Sequence, residues 1–353
     1  MNKILSTSLA ISFLALTGCA TGYKTTIAPE FKSSQKDVHL ASFIAQKEMD
    51  ARAPLANSAG VGAQFGLIGA LVSVAIDSSV NQTNIENKEV QIAPLRDALI
   101  DYDFNTPFHQ EVTNKIAKID WINVTNQTEV NDQNEIELKD GYFLKVDTSY
   151  SLSSDFTTLQ VFTNVSLNNV TNEKDKKTGK PKQKVETLFQ NLYKYSSPSL
   201  ERLTKTKEEY DAQVAEVEAW YEARLAKLEK NKSKGDLRAA KKRKMRNIKE
   251  EYSFAEGNLK MAELWAKDEA ALAKQHLNES AFEISKMILL DLSDTKTIDE
   301  YKKDKSIQTY EDGLQVVSEG AQRVIVRDIQ TAMAGQLCSL KKGDSGNHCK
   351  FKL

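Results

Sequence analysis

Residues 343–346, "GDSG", are the stretch of this chain most like a catalytic nucleophile motif. A serine in such a turn attacks a carbonyl only when a histidine and a carboxylate are brought to it. The motif lies close to the C-terminus, with no length of β-barrel after it, and so reads as a turn. The four histidines, His39, His109, His276 and His348, fall one per region. They form no HExxH pair of the kind that holds zinc on one helical face. No GxSxG, Walker A or strand-following GxGxxG pattern occurs. A sugar groove would want clustered aromatics, and Trp121, Trp220 and Trp265 are dispersed. The expectation is a non-enzymatic protein with no catalytic residue, metal or cofactor.

Chemistry of another kind is written at the N-terminus. Lys3 precedes an apolar run, "ILSTSLAISFLAL" (4–16), too short to span a bilayer and proportioned like a secretory signal peptide. It ends in "LTGC", Leu16-Thr17-Gly18-Cys19. This resembles the lipobox of bacterial lipoprotein precursors. The resemblance implies cleavage before Cys19 and a diacylglyceryl group on its thiol. It also implies sorting to the outer membrane, because residue 20 is Ala and not the Asp that retains such proteins at the inner membrane. Several acyl chains together give stable anchoring.

With Cys19 lipidated, two of the three cysteines remain, Cys338 and Cys349. In an oxidising periplasm they read most simply as a disulfide. Closing so short a loop should stabilise the tail by roughly 3 kcal/mol on the chain-entropy model. A metal site with His348 is the alternative, but it lacks a fourth ligand at a sensible spacing.

Charge excludes one partner class. The chain carries 48 Lys+Arg against 49 Asp+Glu, so there is no global signature of nucleic-acid binding. A content of 40% hydrophobic residues, with only 6 prolines, supports a folded body. The basic run "KKRKMR" (241–246) reads as a solvated helical face near the tip of a hairpin; contact with anionic lipid is the alternative.

Several elements must position these groups. After the signal peptide (1–18), residues 19–58 are largely polar and read as a segment leading from the anchor to the body. Residues 59–199 read as an α+β domain. It begins with a Gly-rich apolar stretch (59–76) whose four glycines and Gln64 make a marginal membrane span. Its small residues at three- and four-residue spacing suit close helix packing within the protein or between copies, with a segment resting on the membrane surface as the alternative. Pro94 opens one short helix. "NTPF" opens another, with Asn105 or Thr106 as cap and Phe108, Val112, Ile116 and Ile119 on its apolar side. Period-two alternation over 142–152 and 159–167, with Phe143 and Phe162 as exceptions, predicts an antiparallel β-hairpin, with further strands at 121–124 and 185–195.

From Leu200 the pattern turns helical and highly charged. Leu203, Tyr210, Val214, Val217, Tyr221, Leu225 and Leu228 form one seam. After a break at 231–236, Ile248, Tyr252, Ala255, Leu259, Ala262, Ala266, Ala270 and Ala273 form a second, with one shift of phase. Two such arms predict a long antiparallel coiled-coil hairpin over 200–275, with residues 204–270 leaving and re-entering the body at neighbouring points. Residues 276–353 then return as a helix, followed by a three-stranded β-meander closed by the disulfide loop.

The expected fold is therefore α+β: an antiparallel sheet with helices on one face, interrupted by the long hairpin and ending in the small meander. The expected role is a lipid-anchored envelope scaffold on the periplasmic side of the outer membrane. It would contact the membrane through Cys19, an envelope protein through the hairpin, and its own copies through the Gly-rich stretch. The alternative is a periplasmic carrier or sensor of a lipid or glycan.

Overall fold

A computed structural model describes residues 23–44, 46, 48–51, 79–130, 140–174, 181–227 and 234–349. Cys19 and the Gly-rich stretch 59–76 lie outside the described residues. In chain order the strands are β1 (Lys36–Ile44), β2 (Asp50–Ala51), β3 (Ile122–Val130), β4 (Gly141–Leu152), β5 (Leu159–Lys174), β6 (Pro181–Ser196), β7 (Gln315–Glu319), β8 (Arg323–Arg327) and β9 (Leu337–Lys341). The described α-helices are α1 (Ser79–Ala98), α2 (Asn105–Ile116), α3 (Lys207–Ala226), α4 (Lys234–Asn247), α5 (Phe254–Ser293) and α6 (Ile298–Lys303).

The predicted hairpin is the centre of the sheet. β4 and β5 pair antiparallel with Thr148 opposite Thr163, their hydroxyls 2.9 Å apart. Leu144 and Val146 of β4 and Val161 and Val165 of β5 are fully buried, as alternation requires of one covered face. β6 extends the pairing antiparallel from β5. The complete order is β3-β1-β4-β5-β6-β9-β8-β7, with β2 also beside β4.

The sheet is mixed and not purely antiparallel. β1 runs parallel to both β3 and β4, and β6 runs parallel to β9. β1 falls in the segment expected to be a polar lead from the anchor. It is instead an inner strand, with Val38, Leu40, Ala41, Phe43 and Ile44 all buried. A strand buried on both faces shows no alternation, and this one is short and follows a run of Ser and Lys. The C-terminal strands do form the expected meander, β7–β8–β9, joined to the main sheet through β6.

Helices α1, α2 and α5 share one core with the sheet, built around Ile92, Phe108, Val112, Leu144, Val165 and Ile284. Pro94 lies inside α1 and does not begin it. The α2 cap is also different from the sequence expectation: neither Asn105 nor Thr106 caps, and the Asp103 carboxylate accepts from the Thr106 N–H at 3.2 Å. On β8 and β9 a second small core, Val324, Val326, Cys338, Leu340 and Cys349, forms under the disulfide loop.

The long hairpin is where the expected division changes most. Only α3 and α4, of 20 and 14 residues, form the antiparallel pair. The seam assigned to a second arm belongs to α5 and to the body. Gly257, Asn258, Met261, Ala262 and Trp265 are buried, and the Trp265 indole N–H donates to the Phe156 carbonyl at 2.8 Å. The buried row is turned relative to the Ala255–Leu259–Ala266 seam, because Met261 and Trp265 bring more apolar area to the body than alanines bring to a partner helix. At the shift of phase the helix is interrupted: Asp268, Glu269 and Ala270 have φ of 52, 56 and 58 degrees. Left-handed residues of this kind cost on the order of 1–2 kcal/mol each. The packing of Ala270 and Ala273, both fully buried, holds the turn in place.

Candidate interaction site

The α3–α4 pair leaves the body through a closed base. Thr204 and Glu251 form an isolated antiparallel bridge, and the Lys205 N–H donates to the Glu250 carbonyl at 2.9 Å. The entering and leaving strands of chain therefore meet at residues 204–205 and 250–251. Two capping boxes start the helices on either side. Thr206 and Glu209 satisfy the first-turn N–H groups of α3 reciprocally, and Ser253 and Glu256 do so for α5. Caps of this kind contribute about 1 kcal/mol each and fix where a helix begins.

Tyr252 ties the base together across the gap. Its hydroxyl donates to Glu209 Oε2 at 2.5 Å. That bond, together with the Thr206 N–H, holds the Glu209 carboxyl below its ordinary range, and it pushes the Tyr252 phenol up to about 12. Beside it lies an open cleft of about 320 Å³ lined by Lys205, Glu209, Gln213, Tyr252, Leu259 and Lys260, among others. Its mixture of charge and apolar surface resembles the edge of a protein contact.

Along the arms, charge is segregated by helix. α3 carries six acids, Glu208, Glu209, Asp211, Glu216, Glu218 and Glu222, against Lys207 and Arg224. α4 carries seven cations against Asp236 alone, and none of its residues is buried. The two helices meet through aromatic and cationic side chains. Lys241 bonds Glu218 and lies 4.6 Å from the Tyr221 ring centroid. Arg224 and Lys244 lie 5.2 and 4.8 Å from the Trp220 centroid. Of the expected first seam, Tyr221 is buried and Val214, Val217 and Leu225 are half-buried.

Two polar networks lie inside the body. At the end of α5, Asp291 is buried and accepts from Lys24 (2.6 Å), Arg327 (3.3 Å), Asn191 (2.6 Å) and Tyr193 (2.9 Å). Burial alone would raise its carboxyl, but Lys24 and Arg327 outweigh it and hold the group below its usual range. Lys32 closes the helix end, donating to the Leu292 carbonyl at 2.7 Å, where a cation also complements the helix dipole. The second network joins Tyr195, His276, Glu279 and Arg323. Tyr195 donates to Glu279 at 2.7 Å, and His276 lies 3.1 Å from the same oxygen. The His276 bond, with those from Tyr195 and the charge of Arg323, lowers the Glu279 carboxyl to about 2. Both networks act as clamps between α5 and the sheet, although in the first Asn191 Oδ1 and Arg327 Nε are buried without a partner among the described residues.

The residues singled out in sequence are placed as follows. Cys338 and Cys349 are joined in a disulfide, with Cα atoms 5.6 Å apart, so neither thiolate is left to pair with His348 on a metal. In "GDSG", Ser345 Oγ accepts from the Asn347 N–H at 3.3 Å within a turn, with no histidine ring bonded to it. His39 bonds Thr128 and His109 bonds Ser42. Among the described residues no group of three or more His, Cys, Asp or Glu could hold a metal, and no helix is long and apolar enough to cross a membrane. Sequence reasoning missed Arg238, Lys24 and Asp291. The four-residue step from Arg238 to Lys242 to Arg246 was the available signal for the first; for the other two, paired across most of the chain length, there was none.

The chain matches no protein-family model, no curated protein and no solved structure.

Proposed function

We propose that this chain is a lipid-anchored outer-membrane lipoprotein that faces the periplasm and serves as a non-enzymatic scaffold, with the α3–α4 hairpin as its contact arm. The observation that supports this reading is the closed base at Thr204 and Glu251. It makes a charge-segregated helix pair into an appendage that the body does not need for its core. An envelope protein would be seated against the cleft between arm and body, lined by Glu209 and Gln213 of α3 and by Lys205, Tyr252 and Leu259 at its base. Anchoring comes from the lipobox resemblance at Cys19.

Replacing residues 206–249 by a short Gly/Ser linker should leave a folded, membrane-associated protein, because the ends already meet. In-cell crosslinks to protein partners should disappear, because the α3 wall of the cleft (Glu209, Ala212 and Gln213) is removed with the arm. Cys19→Ala should separately release the chain from the membrane or leave it unprocessed. A deletion variant that is degraded, or that keeps its crosslinks, would contradict the arm; a Cys19→Ala protein still processed and sedimenting with outer membrane would contradict the anchor.

The alternative, a carrier of a small lipid or glycan, has one observation behind it. A cleft of about 300 Å³ opens between Met49, Arg96, Tyr102 and Tyr150 on the body. A carrier would keep its binding after the arm is removed, so the same deletion separates the two readings.

A further inference from the structure

The side of α4 turned away from α3 carries an arrangement that a merely solvated helix has no reason to keep. Arg238, Lys242 and Arg246 follow one another at four-residue steps, about 6 Å apart along the helix. Arg243 flanks them, and all four are exposed. Like charges at this spacing oppose the helix they sit on. Among the described residues none of the four has a carboxylate within salt-bridge distance; the one α4 cation that does is Lys241, on the inward side.

The rest of the outward surface narrows the class of partner. The larger apolar residues of α4, Leu237 and Met245, are half-buried, whereas Ala239 is the one apolar side chain fully exposed. Trp220 is already covered by Arg224 and Lys244. Protein partners are held by buried aromatic or aliphatic anchors at the centre of the contact. The outward row offers none, and nothing that could insert into hydrocarbon. What it fits is a diffuse sheet of negative charge that needs no register.

We propose that this row docks electrostatically on an anionic phospholipid surface. The proposal rests on the hairpin being the contact arm, and it adds a second occupant for it: lipid phosphate on the outer side of α4, protein at the base. Lys24, five residues beyond Cys19, is held at the C-terminal end of α5, whereas the hairpin leaves from its N-terminal end. An acyl chain on Cys19 would hold the whole chain, and with it the α4 row, near such a surface. A weak electrostatic foot gains from being tethered, because its binding becomes intramolecular.

The test uses the full chain with Cys19→Ala, so that no acyl group inserts, in co-sedimentation with vesicles. The protein should pellet with phosphatidylglycerol-containing vesicles at low salt, not with pure phosphatidylcholine, and the association should fall steeply with salt. The triple variant Arg238→Gln, Lys242→Gln, Arg246→Gln should bind on the order of a hundredfold more weakly, at about fivefold for each cation near an anionic surface. The variant Arg238→Lys, Arg246→Lys should bind as the parent does, because a diffuse surface does not require the guanidinium fork. Neutralising Lys302, Lys303 and Lys305, an exposed basic cluster elsewhere, should change nothing. Circular dichroism of the triple variant should match the parent, which excludes unfolding as the cause.

Equal binding to neutral vesicles, or undiminished binding by the triple variant, would overturn the proposal. So would a concentration-dependent dimer that the triple variant abolishes, which would identify the exposed acids of α3 in a second copy as the occupant. Protein crosslinks that depend on the row, without vesicle binding, would assign it to an acidic protein instead. Loss of crosslinks on hairpin replacement tests the contact arm itself, so the two ideas can fail separately.

Discussion

At the C-terminal end of α5, the side chains of Lys24, Arg327 and Asp291 are 1%, 1% and 0% exposed, and both cations bond the Asp291 carboxylate. Beyond its N-terminal end, Arg238, Lys242 and Arg246 are exposed and none of them pairs with a carboxylate. Both regions are dense in charge, yet their energetics are opposite. A buried ion owes its place to partners that replace lost water, so each member is indispensable to the others. An exposed ion keeps its water and contributes little to stability, so it is free to meet something else. Charge density alone therefore does not distinguish a clamp from a contact surface; burial and the presence of counter-charges do.

The largest effect should come from breaking the clamp. Asp291→Ala removes the common acceptor of Lys24, Arg327, Asn191 and Tyr193 and leaves the two buried cations with Asp294 alone, at 3.4 and 3.2 Å. The cost should be about 3–5 kcal/mol, seen as a large fall in the urea midpoint or as loss of soluble protein. A midpoint near that of the parent would mean that the cluster is wetter and less essential than its burial implies.

The next effect sets the body against the arm, through one aromatic residue in each. Trp265→Ala should destabilise by about 3–5 kcal/mol, because the indole is fully buried and bonded to Phe156. Tyr221→Ala, in the seam between α3 and α4, should change global unfolding by less than about 1 kcal/mol, since an appendage can open without the core. Equal losses in the two variants would mean that hairpin and body unfold as one unit.

That contrast also shows what the sequence could and could not convey. The β4–β5 hairpin was legible because Leu144, Val146, Val161 and Val165 recur at every second position, with polar neighbours apart from Phe143 and Phe162, which are buried on the other face. The meander and its cystine were legible because short strands and a cysteine pair are local features. β1 was not, since Leu40, Ala41 and Phe43 are buried on both faces and leave no period to read. The register of α5 was ambiguous, because two apolar rows run along it, one of alanines and one through Met261 and Trp265. Periodicity identifies a row without saying what it faces. Of the candidate site, the basic run at 241–246 was visible, but its base was not: Thr204 and Glu251 meet only after the hairpin has formed. The four-residue row starting at Arg238 became meaningful once the side facing α3 was known.

A smaller, pH-dependent effect tests the second clamp. Glu279 is lowered to about 2, chiefly by its bond from His276, from an ordinary value of 4.5. A carboxyl depressed in the fold contributes stability that is present above its unfolded value and lost as pH falls through its folded value. The advantage of the parent over Glu279→Gln in thermal unfolding should therefore be full above pH 4.5 and shrink as pH falls toward about 2. Asp291 gives the parent and the variant the same acid sensitivity in that range, so the difference between them isolates Glu279. A gap independent of pH would assign the loss to packing.

The smallest effect is expected where the charge is densest. In α4, replacing Lys242 by Gln removes the middle of three cations spaced by four residues. Each neighbour then loses a like charge one helical turn away, an interaction worth about 0.2–0.5 kcal/mol of destabilisation in isolated helices. Lysine and glutamine have nearly equal helix propensity, so the backbone gains or loses almost nothing from the exchange. No hydrogen bond or ion pair among the described residues is broken, because Lys242 makes none that could be. The variant should thus unfold at the parent's midpoint or slightly above it, by less than about 0.5 kcal/mol, and more clearly at low salt than at high. Destabilisation there would reveal a counter-charge that Lys242 already holds, and the row would then belong with the clamps and not with the surfaces that await a partner.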